Sequence, residues 1–330
     1  MKKTIYLFSN GEIHRKDNTV YFLNESNEKK YIPVEQINEI LIFGEVTLNK
    51  KLLEFMTQKE IIIHYFSYYG YYMGSFYPRE HYNSGYMILN QCKHYMDQAK
   101  RLDLANTFVR GSYQNILKVI NYYKNKSNIL PDTKEIESFE SNINKVKSIE
   151  NLMAFEGQIR ETYYQFFDYI INNKDFAFET RTRRPPKNYL NALISFGNSL
   201  LYVTVLSEIY KTHLDPRIGF LHTTNFRRFT LNLDIAEIFK PILVDRLIFN
   251  LINKNEIQKK HFEKELNGIM LKESGRKIYV EKWDKRLKET INHPNLKRRI
   301  SYRRLIRMEC YKLEKHLIGD KIYKPYLHYW

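Results

Sequence analysis

At 330 residues the chain is long enough for two domains or one large one, and with 43% apolar residues it can bury a substantial core. Two cysteines, Cys92 and Cys310, exclude a disulfide scaffold and a multi-cysteine zinc site and suit a reducing cytoplasm. The formal net charge of +16 favours a polyanionic partner, although Lys, Asn, Ile and Tyr are all abundant, as in AT-rich genomes.

The first part of the chain reads as strands. "TIYLFS", "TVYFLN", "KKYIPV", "EILIFG" and "EIIIHYFS" are β-branched and aromatic runs separated by turn-formers such as Ser9-Asn10-Gly11 and Lys16-Asp17-Asn18. "NKKLLEFMTQKE" interrupts them with a helical pattern capped by Asn49 or Thr47. A β-rich domain over residues 1–75 is expected. The tyrosine-rich stretch "YYGYYMGSFYPREHYNSGY", punctuated by Gly70, Gly74, Pro78 and Gly85, has no steady period; a connection over residues 76–90 follows. From about residue 91 to 330 apolar residues recur at helical spacing. "KNKSNILPDTK" (124–134) and "RTRRPPKN" (181–188) are breaks. The fold class is α+β: a small N-terminal β-rich domain followed by a larger all-α domain. The start of the chain meets Gly11 and charged residues too soon for a signal peptide, and residues 192–205 are too short and polar to span a bilayer. A cytoplasmic protein with no membrane partner is expected.

No phosphate loop, dinucleotide fingerprint, HExxH or GxSxG motif is present. The oddities are buried acids. In "SIENLMAFEGQIRETYYQFF", Glu156 falls in the middle of a stripe of Ile149, Leu152, Met153, Ile159 and Tyr163, opposite Glu150, Asn151, Gly157, Gln158 and Glu161. A desolvated carboxylate needs a cation, a metal or hydrogen-bond donors; the bland partner is an arginine such as Arg160. In "LDIAEIFKPILVDRL", Asp234 and Glu237 lie a turn apart beside a buried face, with Asp234 also suited to an N-cap and Pro241 expected to bend or restart the helix. His222 stands in a loop-like stretch after Asp215-Pro216 and Gly219. One histidine with two or three carboxylates makes a donor set suited to Mg²⁺ or Mn²⁺, and such an ion suits phosphodiester chemistry. Basic clusters supply a substrate: Arg181, Arg183, Arg184 and Lys187 near Pro185-Pro186, and thirteen Lys/Arg against four Asp/Glu between Lys272 and Arg307. There Arg299, Arg303 and Arg307 recur at four, the spacing of one helical face. Arg217, Arg227 and Arg228 surround His222.

These segments together resemble the CRISPR-associated endonuclease/integrase of spacer acquisition, the metal-dependent member of the universal adaptation pair. "EGQIRETYYQFF", "RTRRPPKNYLNALISFGNSLLY", "DPRIGFLHTTNFRRFTLNLDIAEIFKP" and the basic tail carry the resemblance over essentially the whole chain. It implies a homodimer with an N-terminal β domain and an α-helical catalytic domain. It also implies metal ligands at Glu156, His222 and Glu237, with Asp234 as the neighbouring acid and Glu237 where some relatives carry Asp. The implied chemistry is Mg²⁺ or Mn²⁺ activating a DNA 3′-hydroxyl, or water, for attack on a phosphodiester. DNA, as prespacer and repeat, and a small CRISPR-associated adaptation partner are the implied partners. The competing class is a non-catalytic basic DNA-binding scaffold in which Glu156 serves a buried ion pair.

Overall fold

Short β-branched and aromatic runs broken by turns build the first of two compact units, Met1–His81. The computed structural model describes residues 2–79, 82, 84–126, 130–183, 185–224, 229–265, 268–293 and 296–329. Its strands are β1 (Lys3–Leu7), β2 (Gly11–Lys16), β3 (Thr19–Asn24), β4 (Lys29–Ile32), β5 (Ile37–Ile42), β6 (Val46–Thr47), β7 (Ile62–Phe66) and β8 (Tyr72–Phe76), with helix α1 (Lys50–Gln58) before β7. One sheet has the order β1-β5-β7-β8, parallel except for β8; the other has the order β4-β3-β2-β6. Alternation decides the core: Ile13, Val20, Phe22 and Ile32 of one sheet share one buried cluster with Ile37, Ile40, Ile42 and Ile63 of the other and with Leu52, Phe55 and Met56 of α1. Asn49 caps α1 by accepting from Leu52 N at 3.0 Å.

Three of these strands lie outside the five runs read from sequence, the two-residue β6 among them. β2 ("GEIHRK") carries too many polar residues to show a strand's texture, and β8 falls inside the tyrosine-rich stretch, where Gly74 hides its pairing with β7. Helix follows soon after, because Ser84 caps α2 at Gly85.

The second unit, Tyr82–Trp330, is helical. Its elements are α2 (Gly85–Met96), α3 (Gln98–Lys126), α4 (Lys134–Ser138), α5 (Ile149–Gln165), α6 (Phe167–Ile171), α7 (Tyr189–Ile209), α8 (Leu231–Phe239) and α9 (Arg246–Asn253). These are followed by α10 (Glu273–Lys288) and α11 (Tyr302–Leu317). Two hairpins depart from an all-α reading: β9 (Phe262–Glu265) with β10 (Gly268–Leu271), and β11 (Thr290–His293) with β12 (Arg298–Ser301). By length and composition α7 could cross a bilayer, more readily than residues 192–205 suggested. Most of it is buried inside this unit, however, so its apolar surface is core. Helix α3 packs on α8, α11 packs on α7 and α8, and α5 packs on α3, and this packing positions the site.

At Pro241 the chain neither leaves the helix nor continues it as a regular α-helix. Proline lacks the N–H that the Glu237 carbonyl would accept, and its ring would collide with that carbonyl in a regular helix. The backbone instead widens into a π-helical turn, Lys240–Asp245, and continues as α9.

Candidate metal centre

Helix α5 starts at Ser148, whose side chain accepts from Asn151 N at 3.2 Å. Its burial follows the expected stripe at Ile149, Leu152, Ile159 and Tyr163, while Glu150, Asn151, Gly157, Gln158 and Glu161 face solvent. Met153 departs from it and is exposed. Glu156 keeps 22% of its side chain accessible, so it lies at the edge of the stripe with its carboxylate turned inward.

His222 is presented by a loop tied down from several sides. Gln91 of α2, wholly buried, donates to the carbonyls of Asp215 (3.0 Å) and Ile218 (3.3 Å) and accepts from Asp215 N (2.8 Å). Arg101 of α3 donates to the Phe220 carbonyl at 2.9 Å. Thr230 Oγ1 accepts from Gly219 N and donates to Arg217 O. Only glycine fits at 219: a Cβ would lie 2.8 Å from the Thr230 carbonyl carbon and 3.0 Å from Asp234 Oδ2.

Asp234 is not the cap of α8; it is that helix's fourth residue, fully buried. Its Oδ2 accepts from the backbone N–H of Phe220 (2.5 Å) and Leu221 (3.0 Å). Its Oδ1 accepts from His222 N (2.9 Å) and lies 2.8 Å from His222 Nδ1. A carboxylate at Nδ1 fixes the proton there and leaves Nε2 as the lone-pair nitrogen, the usual outer partner of a metal-binding imidazole. Burial pulls the His222 ring down, but the Asp234 hydrogen bond and the Asp234 and Glu237 charges outweigh it and raise its pKa.

Glu237, one turn after Asp234 and 3% exposed, sits among cations. Lys240 bonds its Oε1, and Arg160 Nη2 lies 3.2 Å from Oε2. The same guanidinium reaches Glu156 Oε1 at 3.4 Å and Asp245 Oδ2 at 3.3 Å, so Arg160 gathers three acids. Burial would raise Glu237, but Lys240, Arg160 and His222 hold it at about 2. Burial and the Glu237 charge push Glu156 up, against Arg160, Lys240 and His222. Burial lifts Asp245 to about 6 despite Arg160 and Lys240. Two neighbouring carboxylates are thus driven apart, one held ionised and the other prone to take a proton.

Glu156, Glu237 and the Nε2 of His222 form a donor set that fits a hard divalent ion. As the side chains stand, no three His, Cys, Asp or Glu groups among the described residues converge closely enough to hold one. Both oxygens of Glu237 are engaged by Lys240 and Arg160, two cations occupying the role an ion would take. Neither Lys240 nor Asp245 was singled out from sequence. The signal for Asp245 was a further acid in the apolar run "IFKPILVD".

The basic residues divide. Arg184, Arg227 and Arg228 lie outside the described residues. Arg181 is held to α7 through Asn191 Oδ1 (2.9 Å) and Ser195 Oγ (3.1 Å), whereas Arg183 is exposed. Arg217 is exposed but doubly bonded to Asp215. The common helical face expected for Arg299, Arg303 and Arg307 does not exist. Arg299 lies in β12, and Arg303 and Arg307 of α11 clamp buried Glu208 of α7 at 2.8 and 2.6 Å. A carboxylate buried at the end of an apolar helix takes the arginines that spacing had assigned to phosphates. Lys297, Arg298 and Arg299 remain as an exposed basic hairpin. Arg299→Ala should flatten the slope of log K for DNA against log salt by about 1, measured by titration at several salt concentrations; an unchanged slope would remove it from the interface.

A model of the family described as CRISPR associated protein Cas1 matches residues 5–285. The chain belongs to the Cas1 family. It is 59% identical over 331 residues to the CRISPR-associated endonuclease Cas1 2 of Thermodesulfovibrio yellowstonii, with 100% of both chains covered. A solved Cas1 protein from Thermotoga maritima has the same fold, with a TM-score of 0.90 at 48% identity over 98% of this chain and 100% of that one. A solved casposase bound to integration product shares the Cas1 fold at a TM-score of 0.87 and 20% identity, covering 98% of this chain and 92% of the other.

Proposed function

We propose that the chain is a metal-dependent DNA endonuclease/integrase of CRISPR adaptation, working in the cytoplasm on short DNA fragments and the repeat array. It is a Cas1 endonuclease by family. The observation that carries the site assignment is the His222–Asp234 pair at 2.8 Å. It turns the imidazole's free nitrogen into a donor beside two carboxylates held in opposite protonation tendencies. Glu156, His222 and Glu237 are the ligands, and Mg²⁺ or Mn²⁺ is the ion. When bound, the ion neutralises charge on the phosphodiester and lowers the pKa of the attacking hydroxyl or water. Asp234 orients His222 and anchors the loop, while Lys240 and Arg160 keep Glu237 ionised before loading. Exposed Arg183, Arg217 and the basic hairpin at Arg299 supply phosphate contacts. A homodimer built through the first unit, joined by the small adaptation partner, completes the assembly.

Glu156→Ala and His222→Ala are each expected to lower DNA cleavage and integration in Mn²⁺ by about 100-fold or more. Undiminished activity in both variants would overturn the assignment. The Glu156–Arg160 contact at 3.4 Å favours a second reading, a DNA-binding scaffold whose Glu156 serves the ion pair. On that reading chelator leaves every DNA activity unchanged, and Glu156→Ala chiefly lowers the melting temperature.

A further inference from the structure

The last carbonyls of α8, just before the π-helical turn, are held by side chains from other helices. Arg160 Nη2 lies 3.5 Å from the Glu237 carbonyl, whose regular α-helical donor position is taken by Pro241. One residue on, the Ile238 carbonyl accepts from Asn115 Nδ2 of α3 at 3.0 Å. Asn115 is wholly buried and makes two more bonds. Its Nδ2 also donates to Tyr326 O at 2.9 Å, and its Oδ1 accepts from His328 N at 2.9 Å. Two carbonyl acceptors and one N–H donor leave only one orientation for the amide.

The strap formed by residues 323–328 is itself fixed. Tyr326 stacks on Phe239, the last residue of α8, with ring centroids 5.7 Å apart and planes 10° from parallel. Glu309 Oε1 accepts from Tyr323 OH at 2.6 Å and from Tyr326 N at 3.0 Å. Gly111, one helical turn before Asn115, lets Pro325 approach; a Cβ there would sit 2.5 Å from Pro325 Cβ. Helix α3, the end of α8 and the strap therefore meet at one amide.

We propose that Asn115 is a positioning residue for Glu237, with the 323–328 strap as the clamp that keeps its amide aimed at the end of α8, where the π-helical turn begins. The reason is geometric. The widened turn can settle one residue earlier or later, and each residue of slip rotates a helical side chain by about 100°. A bond to the Ile238 carbonyl selects one register and so fixes the direction of the Glu237 carboxylate. A close-packed apolar side chain at 115 would fill the space without selecting any register. This role rests on Glu237 being a metal ligand.

The test measures Mn²⁺ affinity of the DNA-free protein by electron paramagnetic resonance, beside kcat and KM on DNA. Asn115→Ala and Asn115→Asp should weaken Mn²⁺ binding by about 10-fold or more and lower kcat with KM unchanged. Ile120→Val and Ile120→Ala, core substitutions on the same helix, bracket the stability loss and should keep wild-type affinity. Wild-type affinity and kcat in the Asn115 variants, or an equal loss in the Ile120 variants, would overturn the role. Tyr326→Leu removes the ring from Phe239 but no backbone bond, and decides the matter if Asn115→Ala does not fold: weakened Mn²⁺ binding supports the clamp, unchanged binding overturns it. Glu237→Gln separates the two ideas. If it binds Mn²⁺ as wild type does, the metal assignment falls and the positioning role with it; if it loses Mn²⁺ while Asn115→Ala retains it, the positioning role falls alone.

Discussion

Asp234→Asn is expected to lower DNA cleavage by about 100-fold or more and to remove most Mn²⁺ binding, with a melting temperature roughly 5 °C lower. The carboxylate is fully buried and every bond it makes is to a donor: Phe220 N, Leu221 N, His222 N and His222 Nδ1. An amide must turn its NH₂ toward one of these pairs. If it faces Phe220 and Leu221, two buried backbone N–H groups lose their acceptor, at a cost of about 3 kcal/mol. If it faces His222, the ring must accept at Nδ1 and carry its proton on Nε2, which takes away the lone pair an ion needs. Both outcomes damage the centre, the first through the loop and the second through the tautomer. Calorimetry and Mn²⁺ titration tell them apart, because the first lowers the melting temperature more and the second lowers affinity more. Wild-type affinity and activity would remove the His222–Asp234 pair from the site.

Local pattern carried much of this molecule. The β-branched runs between Thr4 and Ser67, the Asn49 cap and the buried stripe of α5 are short-range signals, and the structure contains each of them. Glu156, Asp234 and Glu237 stood out as acids in apolar surroundings, a mismatch visible without any knowledge of partners. The partners were not legible. Asp245 meets Arg160 across 85 residues, and Gln91 reaches the His222 loop across 124. The hairpins at Phe262–Leu271 and Thr290–Ser301 were absorbed into a helical reading because "FEKE" and "TINH" show no strand alternation of their own. At Pro241 the rule that proline disrupts a regular helix was sound, but whether the chain bends, restarts or widens into a π-helical turn is not written in the local pattern. Glu208 could have been found. It ends the apolar run "LYVTVLSE" and carries the same mismatch as Glu156, a signal in the sequence that a buried acid there needs cations such as Arg303 and Arg307.

Glu208→Gln is expected to destabilise the second unit by about 3 kcal/mol or more without changing the salt dependence of DNA binding. Glu208 is wholly buried; Arg303 Nε and Lys211 Nζ reach its Oε1 at 2.8 and 3.0 Å, and Arg307 Nε reaches Oε2 at 2.6 Å. Burial raises its pKa, but Lys211, Arg303 and Arg307 outweigh it and bring the folded-state value to about 2, below the ordinary 4.5. A depressed carboxylate stabilises the fold fully above its unfolded pKa and loses that contribution as pH falls through the folded one. The stability gap between wild type and Glu208→Gln should therefore be constant above about pH 5 and shrink steadily toward pH 2. Urea denaturation across that range measures it, and a gap that stays level from pH 5 to pH 2 would mean the cluster adds no charge-dependent stability. The amide leaves Arg303, with only 8% of its side chain exposed, buried without a full counter-charge, which accounts for the size of the loss. Arginines spent on a core carboxylate hold α7 to α11, and the phosphate-binding charge must then come from exposed positions such as Arg298 and Arg299.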